Sequence, residues 1–174
     1  MVGRPEPSEY APFYADYVAL VPEDDVLDAL ERQLGEITAV AAAIPSESET
    51  HRYEPGKWSV REVFGHVGDA ERVFAYRAFC IGRGERAGLP AFDEDSYVAE
   101  SDHRSRSLRE LVADFALVRQ AALGAYRSLS AEAWLRRGTA NASPVSVRAL
   151  AHIMVGHPRH HLAVLRSRYA LAGI

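Results

Sequence analysis

The sequence is short of several things that would otherwise place it in a class. It has one cysteine, Cys80. A lone thiol cannot close an internal disulfide, so a packed core must hold the fold, and a reducing compartment is expected. Cys80 lies in the apolar stretch "YRAFCIG", where a thiol packs as a small hydrophobe. No run of about 18 apolar residues occurs, which argues against a membrane-spanning helix. The opening "MVGRPEPSEYAPFY" lacks the apolar centre of a secretory signal. Basic residues are not in excess: Lys+Arg number 20 against Asp+Glu 24, a net charge of −4. A nucleic-acid-binding surface is therefore not expected, and the acidic surplus is too small for a disordered acidic chain. No segment shows the period-two alternation of a strand, and no internal repeat is found. These absences leave a cytoplasmic helical protein with neither nucleic acid nor membrane as a partner.

The 174 residues, 48% apolar and 25% charged, suit one core. Residues 1–22, with Pro5, Pro7, Pro12 and Pro22, read as an irregular leader with a short helical turn near Tyr10–Leu20. Residues 23–174 read as a single helical domain. Its first helix is "PEDDVLDALERQLGEITAVAAAIP", with Leu27, Leu30, Leu34, Ile37, Ala41 and Ile44 as the buried stripe. A second follows in "SVREVFGHVGDAERVFAYRAFCIGRG", where Ser59 and Glu62 form a capping box. A long polar connection, 85–105, comes next and is expected to carry a task or a short helix of its own. Ser107 and Glu110 then open a third helix, with Leu108, Leu111, Phe115, Val118, Ala122 and Leu129 inward. "SAEAWL" adds one serine-capped turn, "RRGTANASPVS" reads as a turn-rich connection, and Ser146 caps a last helix running to about Ala170. Four amphipathic helices of roughly 20–26 residues, about 30–39 Å each, pack best as an all-α four-helix bundle.

The last helix raises a chemical question. Leu150, Met154, His157, His161, Val164 and Arg168 repeat at four and three, so His157 and His161 occupy core positions one turn apart. On the second helix His66 sits between Val63 and Ala70, also inward. An unpartnered buried polar ring costs about 1–3 kcal/mol, a heavy load for three in a domain stable by about 5–15 kcal/mol. A divalent transition metal would satisfy all three, since neutral imidazole ligates zinc, nickel, copper or iron. Three protein ligands also leave a coordination position for water or substrate. Spacing alone leaves open both this site and ordinary hydrogen-bonded core histidines, and the grouping requires the second and fourth helices to be neighbours. His160 either supports a ligand ring or packs at the edge of the stripe. Asp69, one turn from His66, either orients a ligand imidazole or faces solvent. Arg77 lies eleven positions after His66 on nearly the same face. It either anchors an anionic substrate or cofactor group, or pairs with a neighbouring helix, or packs its stem on apolar surface with its head in water. His51, His103 and His152 are expected to face solvent. Pro158, between the two late histidines, removes a helical hydrogen bond and distorts the helix there.

"KWSVREVFGHVGDAERVFAYR", "FDEDSYV" and "SVRALAHIMVGHPRHHLAVL", with the spacing between them, resemble the DinB/YfiT-like superfamily over nearly the whole chain from about residue 25. The resemblance implies an up-up-down-down bundle, often dimeric, with a three-histidine metal site near one end. Its ligands, zinc or nickel most often, would fall on His66, His157 and His161. Relatives include S-transferases that use bacillithiol, mycothiol or glutathione, a mycothiol-dependent maleylpyruvate isomerase, and proteins described as metal-dependent hydrolases. Where such sequences often carry an acidic residue between the late histidines, this one has Pro158. The expected activity is a metal-dependent transfer to or from a low-molecular-weight thiol on a small-molecule substrate. The alternatives are hydrolysis at the same site, or a non-catalytic metal-binding or stress-linked module.

Overall fold

The computed structural model describes residues 2–169 and Leu171; the sequence-predicted final turn at Ala170 lies outside the described residues. Four long helices dominate: α2 (Val26–Ala43), α3 (Val60–Gly82), α5 (Leu108–Arg127) and α7 (Val147–Arg168). Short elements connect them: α1 (Ala15–Ala19), α4 (Glu94–Glu100), α6 (Ala131–Trp134), and strands β1 (Arg137–Ala140) and β2 (Ser143–Ser146). The starts obey local chemistry. Ser59 and Glu62, and likewise Ser107 and Glu110, form reciprocal capping boxes, and the Ser146 hydroxyl accepts from the Ala149 N–H. Asp25 caps α2 by accepting from Leu27 and Asp28. The α2 stripe is rotated from its predicted line. Val26, Ala29, Leu30, Gln33, Ile37, Val40 and Ala41 are buried, whereas Leu27 and Leu34 are only half-buried.

α2 and α3 each pack mainly against both α5 and α7, so they stand diagonally across an up-up-down-down four-helix bundle. The second and fourth long helices, α3 and α7, are therefore neighbours, as the histidine grouping requires. The expectation of no strand fails at 137–146. β1 and β2 form an antiparallel hairpin whose turn residues, Asn141 and Ala142, both have positive φ, 51° and 54°. That is the backbone of a two-residue hairpin turn with Asn-Ala in place of the usual Asn-Gly. Leu89 joins its edge by donating to the Thr139 carbonyl and accepting from the Asn141 N–H. No helix among the described residues is long and apolar enough to cross a membrane.

A buried polar network ties the four helices together at Pro158. Arg119 of α5 donates from Nε and Nη2 to the two Glu71 carboxylate oxygens on α3, at 2.5 and 3.0 Å. Its Nη1 donates to the Leu30 carbonyl and to Gln33 Oε1 on α2, both at 3.0 Å. Its Nη2 also reaches the Met154 carbonyl on α7 at 2.9 Å, and Gln33 Nε2 donates to the Val155 carbonyl at 2.7 Å. The Met154 carbonyl lies four residues before Pro158. In an uninterrupted helix it would accept from the N–H of residue 158, which proline lacks. The guanidinium supplies the missing donor. Gln33 faces inward, where it accepts from Arg119 and donates to the Val155 carbonyl.

The leader is held against α7. Arg148 pairs with Glu9, and the Ser146 hydroxyl donates to Glu9 at 2.6 Å. These contacts hold the Glu9 carboxyl down at about 2. Arg159 pairs with Glu23 at 2.5 Å. Gly156 permits the contact: a Cβ there would lie 2.0 Å from the Tyr17 carbonyl oxygen.

Removing Arg119 leaves Glu71 charged, buried and alone. Arg119→Leu is expected to cost about 3–5 kcal/mol in urea unfolding, and Glu71→Leu with Arg119→Leu markedly less. Adding Pro158→Ala to Arg119→Leu is expected to recover about 1 kcal/mol, because the restored N–H can serve the Met154 carbonyl. No recovery would break the link between the proline and the arginine.

Candidate metal centre

His66 on α3 and His157 and His161 on α7 converge. His157 Nε2 lies 3.0 Å from His66 Nε2 and 3.1 Å from His161 Nε2. One nitrogen from each ring lies within 4.8 Å of the others. A ring nitrogen with a single lone pair is poorly served by two neighbours of its own kind at this distance. Two nitrogens each about 2.0–2.1 Å from a zinc ion at the tetrahedral angle would stand about 3.3–3.4 Å apart. The two separations from His157 fall within a few tenths of an ångström of that, and the third lies within 4.8 Å, so the donor set fits a divalent cation.

Burial prepares the rings for ligation. It pushes the His66 imidazole down to about 4, and holds His157 and His161 well below the ordinary histidine value, with their mutual repulsion adding to the effect. All three are therefore uncharged at neutral pH, the form that binds metal. Aromatic residues fix the rings. Trp58 lies 4.7 Å from His66 between centroids, and Phe74 and Tyr17 meet His157 edge-on at 5.6 and 5.5 Å. His66 Nδ1 is buried and has no hydrogen-bond partner among the described residues.

Two cavities reach the cluster. One, of about 450 Å³, is bordered by His66 and His157, with Tyr14, Phe74, Arg77 and Phe92 in its walls. The other, of about 480 Å³, is bordered by His161 and His160, with Tyr53, Lys57, Trp58 and Arg168. The hairpin that the sequence hid contributes Ala140, Asn141 and Ser143 to the first.

The remaining candidates fall out differently. His160 is half-buried beside the cluster, in ring contact with His161 and Tyr17 at 5.2 Å each. Asp69 does not orient a ligand: its carboxylate bonds His103 Nε2 at 2.9 Å. Arg77 is buried in the wall of the first cavity and, among the described residues, makes no ion pair. His51 is exposed as expected, but His103 and His152 are not. His152 is buried with Nδ1 on the Arg148 carbonyl at 2.8 Å. His103 packs onto Gly65, where a Cβ would lie 2.2 Å from its ring. The signal for that contact was present: glycines at 65 and 68, inside a helix that pays about 1 kcal/mol for each, mark close approach. Trp58, Phe92 and Tyr17 carried no comparable signal, since each joins the site only through tertiary packing.

A helical bundle with three converging, uncharged imidazoles between two cavities defines a class of small metal-site bundle. The DinB superfamily profile matches residues 29–165, and the chain belongs to that superfamily. Among solved structures it is similar to YfiT from Bacillus subtilis, described as a probable metal-dependent hydrolase with an unusual four-helix bundle topology. The two share 17% identity at a TM-score of 0.78, over 95% of this chain and 94% of that one. No functionally curated protein matches the sequence.

His66→Ala and His157→Ala are each expected to remove most bound divalent metal while far-ultraviolet circular dichroism stays helical; stoichiometric metal in either variant would break the assignment. In the metal-free protein, the unfolded chain takes up protons between about 6.5 and about 4 that folded His66 does not. Stability should therefore fall as pH drops through that window. A flat thermal midpoint across it would contradict the uncharged, buried cluster.

Proposed function

We propose that the chain is a divalent-metal-dependent enzyme that transfers a group to or from a low-molecular-weight thiol. The observation that carries this reading is the position of the imidazole cluster between two cavities, each large enough for a small molecule. Two substrates can thus approach one centre from separate sides. His66, His157 and His161 would hold the ion. A bound divalent cation, zinc or nickel, would supply Lewis acidity, drawing the proton from a thiol whose free value is about 8.5. The chain's own residues do the rest. Burial keeps the imidazoles deprotonated. Trp58, Phe74, Phe92 and Tyr17 pack against the rings, fix their orientation and narrow the space around the cluster. In such surroundings a nucleophile is poorly hydrated and charge interactions are strong.

A second reading, hydrolysis, is favoured by the likeness to YfiT, whose description names that chemistry. The same acidity acting on water would serve it. A single assay separates the two. The zinc- or nickel-loaded protein is given an aryl halide electrophile and, separately, activated esters, each with and without bacillithiol, mycothiol or glutathione. Electrophile consumption is expected only with thiol present. Ester cleavage indifferent to thiol would install the hydrolytic reading instead. In the cobalt-substituted protein the visible spectrum should shift when thiol is added; an unchanged spectrum would indicate a closed, non-catalytic site.

A further inference from the structure

Among the described residues the buried charged side chains are Glu9, Glu62, Glu71, Arg77 and Arg119. Four have opposite charges at hand: Glu9 has Arg148, Glu62 has Arg52 and Arg104, and Glu71 and Arg119 have each other. Arg77 does not. It is 3% exposed, its Nη2 donates to the Pro90 carbonyl at 2.8 Å, and no carboxylate among the described residues pairs with it. A buried guanidinium normally sits against an anion that matches its planar fork. It stands in the wall of the cavity bordered by His66 and His157, and it also borders a smaller cavity, of about 250 Å³, with Pro90 and Tyr97.

We infer that Arg77 anchors a carboxylate of the molecule bound in this cavity, which makes the substrate an elongated monoanion long enough to reach from Arg77 to the imidazole cluster. The inference rests on the proposed function only for what happens at the other end of that molecule. Arg77 and His66 are eleven residues apart on α3, about 16 Å along the axis, and just over three full turns, so they share a face. Arginine leans toward the helix N-terminus and so toward His66. Ala70 and Phe74 lie between the two along the helix, and Tyr14, Phe92, Asn141 and Ser143 complete the same wall. The cavity is of mixed polarity, with one cation, Arg77, three helical turns from the His66 imidazole. A compact dianion would meet only one positive group there, whereas a chain or ring carrying its charge at the far end fits both ends. Glu94, at the exposed margin of the same cavity, disfavours a second negative charge near the mouth.

Calorimetry on the zinc-loaded protein tests this with mercaptohexanoate against mercaptohexanol, and on the metal-free protein with phenylbutyrate against phenylbutanol. The wild type should bind each acid about tenfold more tightly than its alcohol. Arg77→Gln should abolish that preference without weakening the alcohols, and Arg77→Lys should keep part of it. Equal affinities in the wild type, or a preference that survives Arg77→Gln, would overturn the inference. If Arg77→Gln does not fold, the wild-type pairs and Arg77→Lys still decide it. Zinc-loaded protein that ignores both thiols, while Arg77→Gln weakens phenylbutyrate, would sink the thiol reading and uphold the carboxylate anchor.

Discussion

The bundle is organised around one backbone carbonyl, that of Met154, which a proline leaves without its helical donor. Pro158 opens the hydrogen-bond ladder of α7 at Met154, one turn before His157. A free carbonyl at zero exposure is tolerable only with a replacement donor. Arg119 provides that donor from α5, Gln33 on α2 accepts from Arg119 and donates to the Val155 carbonyl, and Glu71 on α3 balances the guanidinium. Every long helix thus contributes to one polar knot. A knot of this kind fixes helix register more tightly than apolar contacts, which tolerate small slips. Because Pro158 lies between His157 and His161, the same knot fixes the two rings relative to His66 on α3.

That arrangement explains how polar rings can occupy core positions. Desolvation drives the imidazoles to the neutral form, which is costly for a histidine that must carry charge and harmless for one that must donate a lone pair. The aromatic groups around the cluster lower the local polarity and so reinforce the neutral state. The Arg119–Glu71 pair lies in the same core, yet its two charges cancel locally through paired hydrogen bonds. Arg77 has no such internal answer, which separates the charges that build the bundle from the charge that faces the cavity.

The sequence was most legible where chemistry is local. Ser59, Ser107 and Ser146 begin helices because a side-chain oxygen and a nearby N–H are enough to begin them. The spacing of His157 and His161 put both rings on one side of α7, since 3.6-residue periodicity needs no tertiary information. The pattern failed where a residue's place is set by a distant partner. Arg119 looks like a surface residue until Pro158 is known to demand a donor across the bundle, and Gln33 until Arg119 is placed beside it. His103 looks like a loop histidine until Gly65 opens a seat for it. The hairpin at 137–146 was hidden because its strands are four residues long, with a proline at 144 and no alternation. Its order comes from Leu89 pairing along one edge and from Gly138 closing on Ile81.

The leader shows how far the site depends on parts outside the four helices. Phe13, Tyr14 and Tyr17 line the first cavity, and Tyr17 touches both His157 and His160. None of these residues belongs to a long helix. What holds them is the Glu9 cluster with Arg148 and Ser146 at one end, and the Arg159–Glu23 pair with the Gly156 contact at the other. Ser146 is also the cap of α7, so one hydroxyl both begins the helix that carries two histidines and fastens the segment that roofs them. Both anchors are ion pairs to α7, the helix that carries Pro158. The roof therefore follows the histidine-bearing helix rather than the bundle as a whole, and the cavity keeps its shape relative to the imidazoles.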